Sequence, residues 1–373
     1  MIIGIEAQRL FRKEKHGMDY VVLNELRQIQ QIDKENDYYV FVKPGEDHCL
    51  RSTGNMHIIE LHCPTYFLWE QWALPRAARR VGVRLLHCTS NTAPIWCNVP
   101  LLLTLHDVIF MEGSSHSASM YQRLGNVYRR HVVPRVVPKC VRIITVSDYE
   151  RNNIVQTLRI PQNRITVLHN GYEEIFKPIG NENFTQKKYI EKPNYFFILG
   201  NTDTRKNIEG MLTAYANYLE KSKIKRKLLM TGLKEVYLSE ILERNNIRHI
   251  RDYIVLTDYV PIQDLPYLYN FAFAFLFVSL REGFGIPILE SMACGTPVIT
   301  SNISSMPEVA GKKALLVSPE DTEDISQMML RLEEDENLYN TQREYGIQHA
   351  RSFSWKKATK KLLNIYKDIY ETT

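Results

Sequence analysis

Short apolar runs of strand length alternate with longer amphipathic stretches along the whole chain, and the alternation occurs twice over. In the first half the runs fall near residues 2–6, 37–43, 56–61, 84–88, 101–106, 141–146 and 164–168, with helical stretches between many of them. A second set begins at Tyr195, with runs near 195–199, 227–231, 253–257, 272–278, 297–300 and 314–317. Runs this short and this apolar read as strands buried on both faces, and strands alternating with helices form parallel sheets covered on both sides. The pattern predicts an α/β chain of two Rossmann-like, doubly wound parallel-sheet domains facing across a cleft, which 373 residues accommodate.

The expected boundaries follow from composition. Residues 1–178 form the N-terminal domain and 195–352 the C-terminal one. The stretch from Phe176 to Asn194 is polar, carries glycine and two prolines, and has no clear period, so 179–194 reads as a linker. In the tail, 353–373, Trp355, Ala358, Leu362, Ile365 and Ile369 stand at helical spacing with lysines on the other face, the pattern of a packing helix. No repeat of solenoid length is evident.

Charge is uneven. Residues 1–178 hold 22 Lys plus Arg against 17 Asp plus Glu, and 179–373 hold 25 against 25, so the whole excess of +5 sits in the first half. From Arg76 to Arg142 ten basic residues, among them Arg129, Arg130 and Arg135, meet only Asp107 and Glu112. Such a stretch suits an anionic partner such as the inner face of a membrane, with a solvated helix face as the bland alternative. No nucleic-acid-binding signature accompanies it. Six scattered cysteines without a Cys-x-x-Cys pair predict reduced, mostly buried thiols in a cytoplasmic chain. The opening MIIGIEAQRLF is too quickly polar for a signal peptide, and no window is apolar enough to span a bilayer.

The stretch FLFVSLREGFGIPILESMACGTPVI, Phe275 to Ile299, reads as strand, glycine-bearing loop, short helix, turn and strand. Pro287 fits the first turn, where its missing amide would have no intrahelical partner. Gly283 and Gly285 let bare backbone approach a ligand at a helix end that favours anions. Glu282 before the loop and Glu290 on the helix supply carboxylates, which accept hydrogen bonds from hydroxyls. A ligand with phosphates and sugar hydroxyls would satisfy the set. The plainer alternative is that Glu290 only favours the helix start and Glu282 is solvated. A second strand, loop and helix, YFFILGNTDTRKNIEGMLTAY from Tyr195 to Tyr215, brings Arg205 and Lys206 to its loop, a fork and a point charge suited to a diphosphate. Ligands of open α/β sheets gather beyond the carboxyl ends of strands, which places both loops on one crevice.

Glu282 and Glu290 are separated by seven residues within REGFGIPILE, and LGNTDTRKN, LTDYVPIQDLPYLYNFA and SSMPEVAG accompany them in order. With GMDYVVLNEL, LHDVIF, ITVSDYERNNI and VLHNGYEEIFKP in the first half, nearly the whole chain resembles the retaining glycosyltransferases of family 4, which have the GT-B fold. The resemblance implies that Glu290 holds the donor's ribose hydroxyls and Glu282 those of the transferred sugar. Gly283, Phe284 and Gly285 would offer amides, Tyr259 and Val260 would receive the base, and Arg205 and Lys206 would neutralise the diphosphate. It further implies that His106, beside Asp107, faces the transferred sugar from the other domain. The family's Gly-x-Gly-x-Tyr loop is represented by His16, Gly17, Met18, Asp19 and Tyr20. Asp19 would repel a phosphate there, so Gly17 and Asp19 are expected on the acceptor side with Asp107.

No Asp-x-Asp motif and no carboxylate and histidine cluster at metal-ligand spacing occurs, so the expected transfer needs no metal and no cofactor beyond the nucleotide sugar. Arg205, Lys206 and helix amides would stabilise the departing nucleoside diphosphate. By the resemblance the outcome is retention, with the leaving phosphate taking the acceptor's proton on the same face. Likeness to bacterial surface-polysaccharide mannosyltransferases makes GDP-mannose the first expected donor, ahead of UDP-glucose, UDP-galactose and UDP-N-acetylglucosamine, and a glycan or lipid-linked glycan the acceptor. A nucleotide-sugar epimerase or hydrolase, or a non-catalytic sugar-nucleotide binding protein, would use the same fold.

Overall fold

The computed structural model describes residues 1–112, 120–180 and 189–372. Contacts divide the chain into two compact units, one of residues 1–170 with 355–373 and one of 171–354. Each is built on one fully parallel sheet.

The first unit's strands are β1 (Ile2–Glu6), β2 (Asp37–Val42), β3 (Met56–Glu60), β4 (Leu85–Cys88), β5 (Leu101–Thr104), β6 (Arg142–Thr145) and β7 (Ile165–Val167). They lie in the order β3-β2-β1-β4-β5-β6-β7. The second unit's are β8 (Tyr195–Leu199), β9 (Leu228–Thr231), β10 (Ile254–Thr257), β11 (Ala272–Phe277), β12 (Val298–Ser301) and β13 (Leu315–Val317), in the order β10-β9-β8-β11-β12-β13. In both sheets the direction of winding reverses beside the first strand, between β1 and β4 and between β8 and β11. Chains leaving adjacent strands in opposite directions open a crevice at their carboxyl ends.

The strands form because they have no polar face. Every residue of β4, β5, β9, β11 and β12 is buried, as central parallel strands between helices must be. Helices Ile208–Lys221 and Thr322–Glu334 pack together over the second sheet, their buried faces continuous with Phe196, Phe273 and Ile299.

The first boundary lies nearer Asn170 than the expected 178, and most of the expected linker, residues 181–188, lies outside the described residues. The tail is helical over Trp355–Thr372 and belongs to the first unit. Its apolar stripe packs on helix Gly17–Ile32, and the Tyr366 hydroxyl meets His87 Nδ1 at 2.7 Å while His87 Nε2 meets Thr104 Oγ1 at 2.7 Å. Burial drives His87 down to about 3, so its ring is a neutral strut between helix and sheet. No helix among the described residues is long and apolar enough to cross a membrane. All six cysteines are free, three buried and three half-buried.

Candidate active site

The loops that follow β8 and β11 meet at the second sheet's switch point. Leu280 N donates to Arg205 O at 2.7 Å, and Asn207 Nδ2 donates to Val278 O at 3.0 Å and to Pro319 O at 2.7 Å, so the two loops form one frame. Gly200 permits the first loop's start. A Cβ there would stand 2.3 Å from Thr231 O and 2.5 Å from Leu233 Cγ, closer than any side chain tolerates.

Lys206 Nζ lies 2.6 Å from Glu282 Oε1, a charge-assisted bond that joins the two loops through the groups expected to serve the donor. The Lys206 ammonium also sits 5.4 Å from the centre of the Phe277 ring. Arg205 is placed differently from the expectation of a guanidinium waiting for phosphate. Its fork grips Asp203, with Nε 3.1 Å and 3.2 Å from the two carboxylate oxygens and Nη2 on Oδ2. Asp203 also accepts Arg205 N at 3.0 Å. Burial would raise the Asp203 carboxyl, but the Arg205 bonds and charge bring it below its ordinary value, so the pair is ionic.

Glu282 is held by its backbone. The Ser304 hydroxyl accepts from Glu282 N at 3.0 Å and donates to Glu282 O at 2.8 Å, and Ser305 Oγ lies 2.9 Å from Phe284 O. Ser304 adopts φ +60°, a left-handed turn that aims this pair of hydroxyls at the loop. The sequence shows the two serines within SSMPEVAG but not that they staple residues 282–284. Gly285 then takes φ +104° and opens helix Ile286–Ala293, with Pro287 in its first turn. A side chain at Gly285 would be strained by that φ and would press on Ile288 Cδ1 at 3.2 Å. The Phe284 ring is buried against Phe353, so only its backbone is available to a ligand.

Glu290 is half-buried and accepts the Tyr269 hydroxyl at 3.1 Å. Burial, with a smaller contribution from the Glu173 charge, pushes its carboxyl up to about 7, and the Tyr269 bond restrains the rise. Tyr269, at the core end of helix Leu265–Phe271, is a partner that the sequence reading missed. In the turn after β10 the Tyr259 side chain is 69% exposed and Val260 is buried.

In the first unit His106 follows β5, with its amide donating to Asn91 Oδ1 at 2.6 Å and its Nε2 2.9 Å from Thr89 O. A carbonyl partner makes Nε2 the protonated nitrogen. Burial lowers the His106 pKa, against the Thr89 carbonyl and the charges of Asp107 and Asp19. Asp107 turns its carboxylate to Ile109 N at 3.0 Å. Gly17 begins helix Gly17–Ile32 with open space beside it. Asp19 departs from its expected role as an anion-repelling loop residue. Its Oδ2 accepts His16 N at 2.8 Å and pairs with Arg12 Nε at 3.0 Å, so the carboxylate caps the helix and its charge is met.

Against known proteins, residues 180–349 match Glycosyl transferases group 1 and residues 20–174 match Glycosyltransferase Family 4. The chain belongs to glycosyltransferase family 4. Similar relatives of this family 4 member include O-antigen chain mannosyltransferase B of Escherichia coli, 33% identical over 231 residues, which are 60% of each chain. O-antigen chain mannosyltransferase RfbU of Salmonella typhimurium is 28% identical over 257 residues, 69% of this chain and 67% of the relative. The match thus spans about two thirds or less of these relatives' length. Sucrose-phosphate synthase from Thermosynechococcus elongatus superposes with a TM-score of 0.78 at 17% identity, covering 100% of both chains, and this likeness establishes the GT-B fold.

Proposed function

We propose that this family 4 glycosyltransferase moves a hexose, mannose from GDP-mannose in the first instance, to a glycan or lipid-linked glycan with retention and without a metal. The observation that carries the reading is the Lys206 to Glu282 bond at 2.6 Å, where the loops of β8 and β11 meet. A cation for the diphosphate and a carboxylate for sugar hydroxyls stand together at the switch point where such sheets take ligands. Glu290, on the adjoining helix, is the carboxylate for the ribose. The names of the O-antigen mannosyltransferase relatives support mannose and a surface-glycan acceptor.

In the proposed reaction the bond between the sugar's anomeric carbon and the diphosphate oxygen breaks, and a bond from that carbon to an acceptor hydroxyl oxygen forms. The hydroxyl proton passes to the leaving diphosphate. Lys206, with Arg205 once it exchanges Asp203 for phosphate, stabilises the charge that builds on the leaving group. Glu282 orients the sugar, unlike the paired carboxylates of glycosidases, which act as acid and nucleophile. His106, whose pKa burial lowers, is a neutral ring at the carboxyl end of β5. The protein works at the inner face of an anionic membrane, a reading supported by its basic first unit and free thiols.

A thermal-shift screen of nucleotide sugars tests the donor. A ligand at 100 times its dissociation constant stabilises by about 2.7 kcal/mol. GDP-mannose is expected to give the largest rise, and no rise with any nucleotide sugar would refute the reading.

A further inference from the structure

Four exposed apolar side chains of the first unit stand on stretches of chain that are bonded to one another. Trp96 is 73% exposed, Leu124 64%, Phe67 53% and Trp72 52%. They come from three separate stretches of chain, joined beneath the surface by Gln71 and Tyr128. Gln71 Nε2 donates to Tyr128 Oη at 2.8 Å and to Ala93 O at 3.2 Å, and Ile95 N donates to Gln71 Oε1 at 2.8 Å. The Phe67 ring meets the Tyr128 ring edge-on at 6.2 Å. Trp72 follows Gln71, Trp96 follows Ile95, and Leu124 lies one helical turn before Tyr128. An apolar patch of this make-up on a water-facing surface marks an interaction site.

Cations rim the patch. The Arg76 guanidinium lies 4.2 Å from the centre of the Trp72 ring, and Arg79 and Arg80 are exposed on the next turn of helix Leu74–Arg80. Not every arginine of the basic stretch belongs to it. Arg130 spends its guanidinium on Phe110 O and Glu112 O, each at 2.6 Å, and so braces the helix Met120–Val136. Tryptophan and arginine side by side, with aliphatic side chains between, suit the boundary between lipid headgroups and acyl chains. The rim is cationic, so the matching headgroups are anionic.

We propose that the surface of Phe67, Trp72, Trp96 and Leu124, rimmed by Arg76, Arg79 and Arg80, docks this protein on an anionic lipid bilayer. The inference rests on the proposed membrane-side function and names the face that serves it. That face is tied to the site. Below it the buried Glu70 carboxylate accepts the Tyr66 hydroxyl at 2.7 Å, Gln71 Nε2 at 2.8 Å, and the hydroxyls of Tyr128 and Thr92. Thr92 lies in the turn that also offers Thr89 O and Asn91 Oδ1 to His106. The docking face and His106 are therefore fixed to the same turn, and a lipid-borne acceptor is delivered beside the carboxyl ends of the first sheet.

The test is co-sedimentation of the full chain with vesicles of phosphatidylglycerol and phosphatidylcholine, or of phosphatidylcholine alone, at low salt. Each arginine near the surface adds about fivefold to the partition, so R76Q/R79Q/R80Q is expected to lose about a hundredfold. W72S/W96S removes the apolar anchors and is expected to lose about tenfold. Both sets of changes fall on exposed side chains, and unchanged melting confirms that the variants fold. Equal binding by wild type and either variant overturns the proposal, as does equal binding to phosphatidylcholine alone. Self-association of the wild type that W72S/W96S abolishes, without vesicle binding, overturns it in favour of a contact between copies. Binding of a nucleoside diphosphate in solution is expected to be the same in all three proteins. Vesicle binding without any nucleotide binding would instead refute the transfer reading and leave the docking intact.

Discussion

The Glu290 carboxyl, pushed up to about 7 by burial, gives nucleotide binding a pH dependence of definite sign. A ribose hydroxyl donates to the ionised carboxylate, so binding favours the deprotonated form and lowers the carboxyl's pKa in the complex. In the empty protein roughly one carboxyl in ten is ionised at pH 6 and nine in ten at pH 8, by the ordinary titration relation around 7. If the complex holds Glu290 ionised throughout, affinity for the nucleoside diphosphate rises about tenfold between those two pH values, or about 1.4 kcal/mol. At pH 7 binding should release about half a proton, seen by calorimetry as an enthalpy that changes with the buffer's ionisation enthalpy. Glu290→Gln supplies the reference, because the diphosphate's own titration remains in it. That variant should bind roughly ten- to a hundredfold more weakly at pH 8, as loss of a charge-assisted hydrogen bond implies, and the extra slope should vanish. Tyr269→Phe removes the donor that restrains the rise, and should move the midpoint upward. The same slope in wild type and Glu290→Gln, or affinity that falls with pH relative to the variant, would refute the reasoning.

The same carboxyl bears on stability. Its folded value lies above the ordinary carboxyl value of 4.5, so its stabilising protonation is complete below that value and lost as pH rises through about 7. Glu290→Gln should therefore raise the melting temperature of the empty protein at pH 8 more than at pH 5, whereas a helix-stabilising role predicts a fall. Glu282→Gln should lower kcat roughly ten- to a hundredfold while affinity for the nucleoside diphosphate changes little, because the lost contact is to the sugar. Asp203→Asn keeps the acceptor for Arg205 N but removes the charge that grips the guanidinium, and should tighten nucleoside diphosphate binding by about three- to tenfold at low salt. Weaker binding would mean that Asp203 orients Arg205 rather than competing for it. Turnover should survive EDTA, and activity lost in chelator and restored by Mg²⁺ would contradict the metal-free role of Lys206 and Arg205.

The sheets were legible because their strands are buried on both faces. Runs such as LLLT and AFAFLF carry no polar alternation and stop within a residue or two of the expected ends. Part of the loop frame was legible too: Gly285 and Pro287 mark a glycine-bearing loop and a helix start, and Glu282 and Lys206 follow from which strands end beside them. Contacts between residues remote in sequence were not. That Asp203 takes the Arg205 fork depends on rotamers, and that Asp19 caps a helix against Arg12 depends on where the preceding loop folds back. The tail's stripe announces a packing helix, but its partner, helix Gly17–Ile32, is more than 300 residues away. Ser304 and Ser305 look like ordinary turn residues until φ +60° at Ser304 turns them toward residue 282. Glu70 drew no notice in the sequence, and only the fold surrounds it with four donors.

The most direct measurement is proton NMR of the products formed from one nucleotide sugar and a glycan acceptor, with Glu282→Gln alongside. The account predicts equal amounts of nucleoside diphosphate and a new glycosidic linkage that keeps the donor's anomeric configuration, both lost in the variant. Free hexose without a linkage, an isomerised nucleotide sugar, or a linkage of inverted configuration would contradict it.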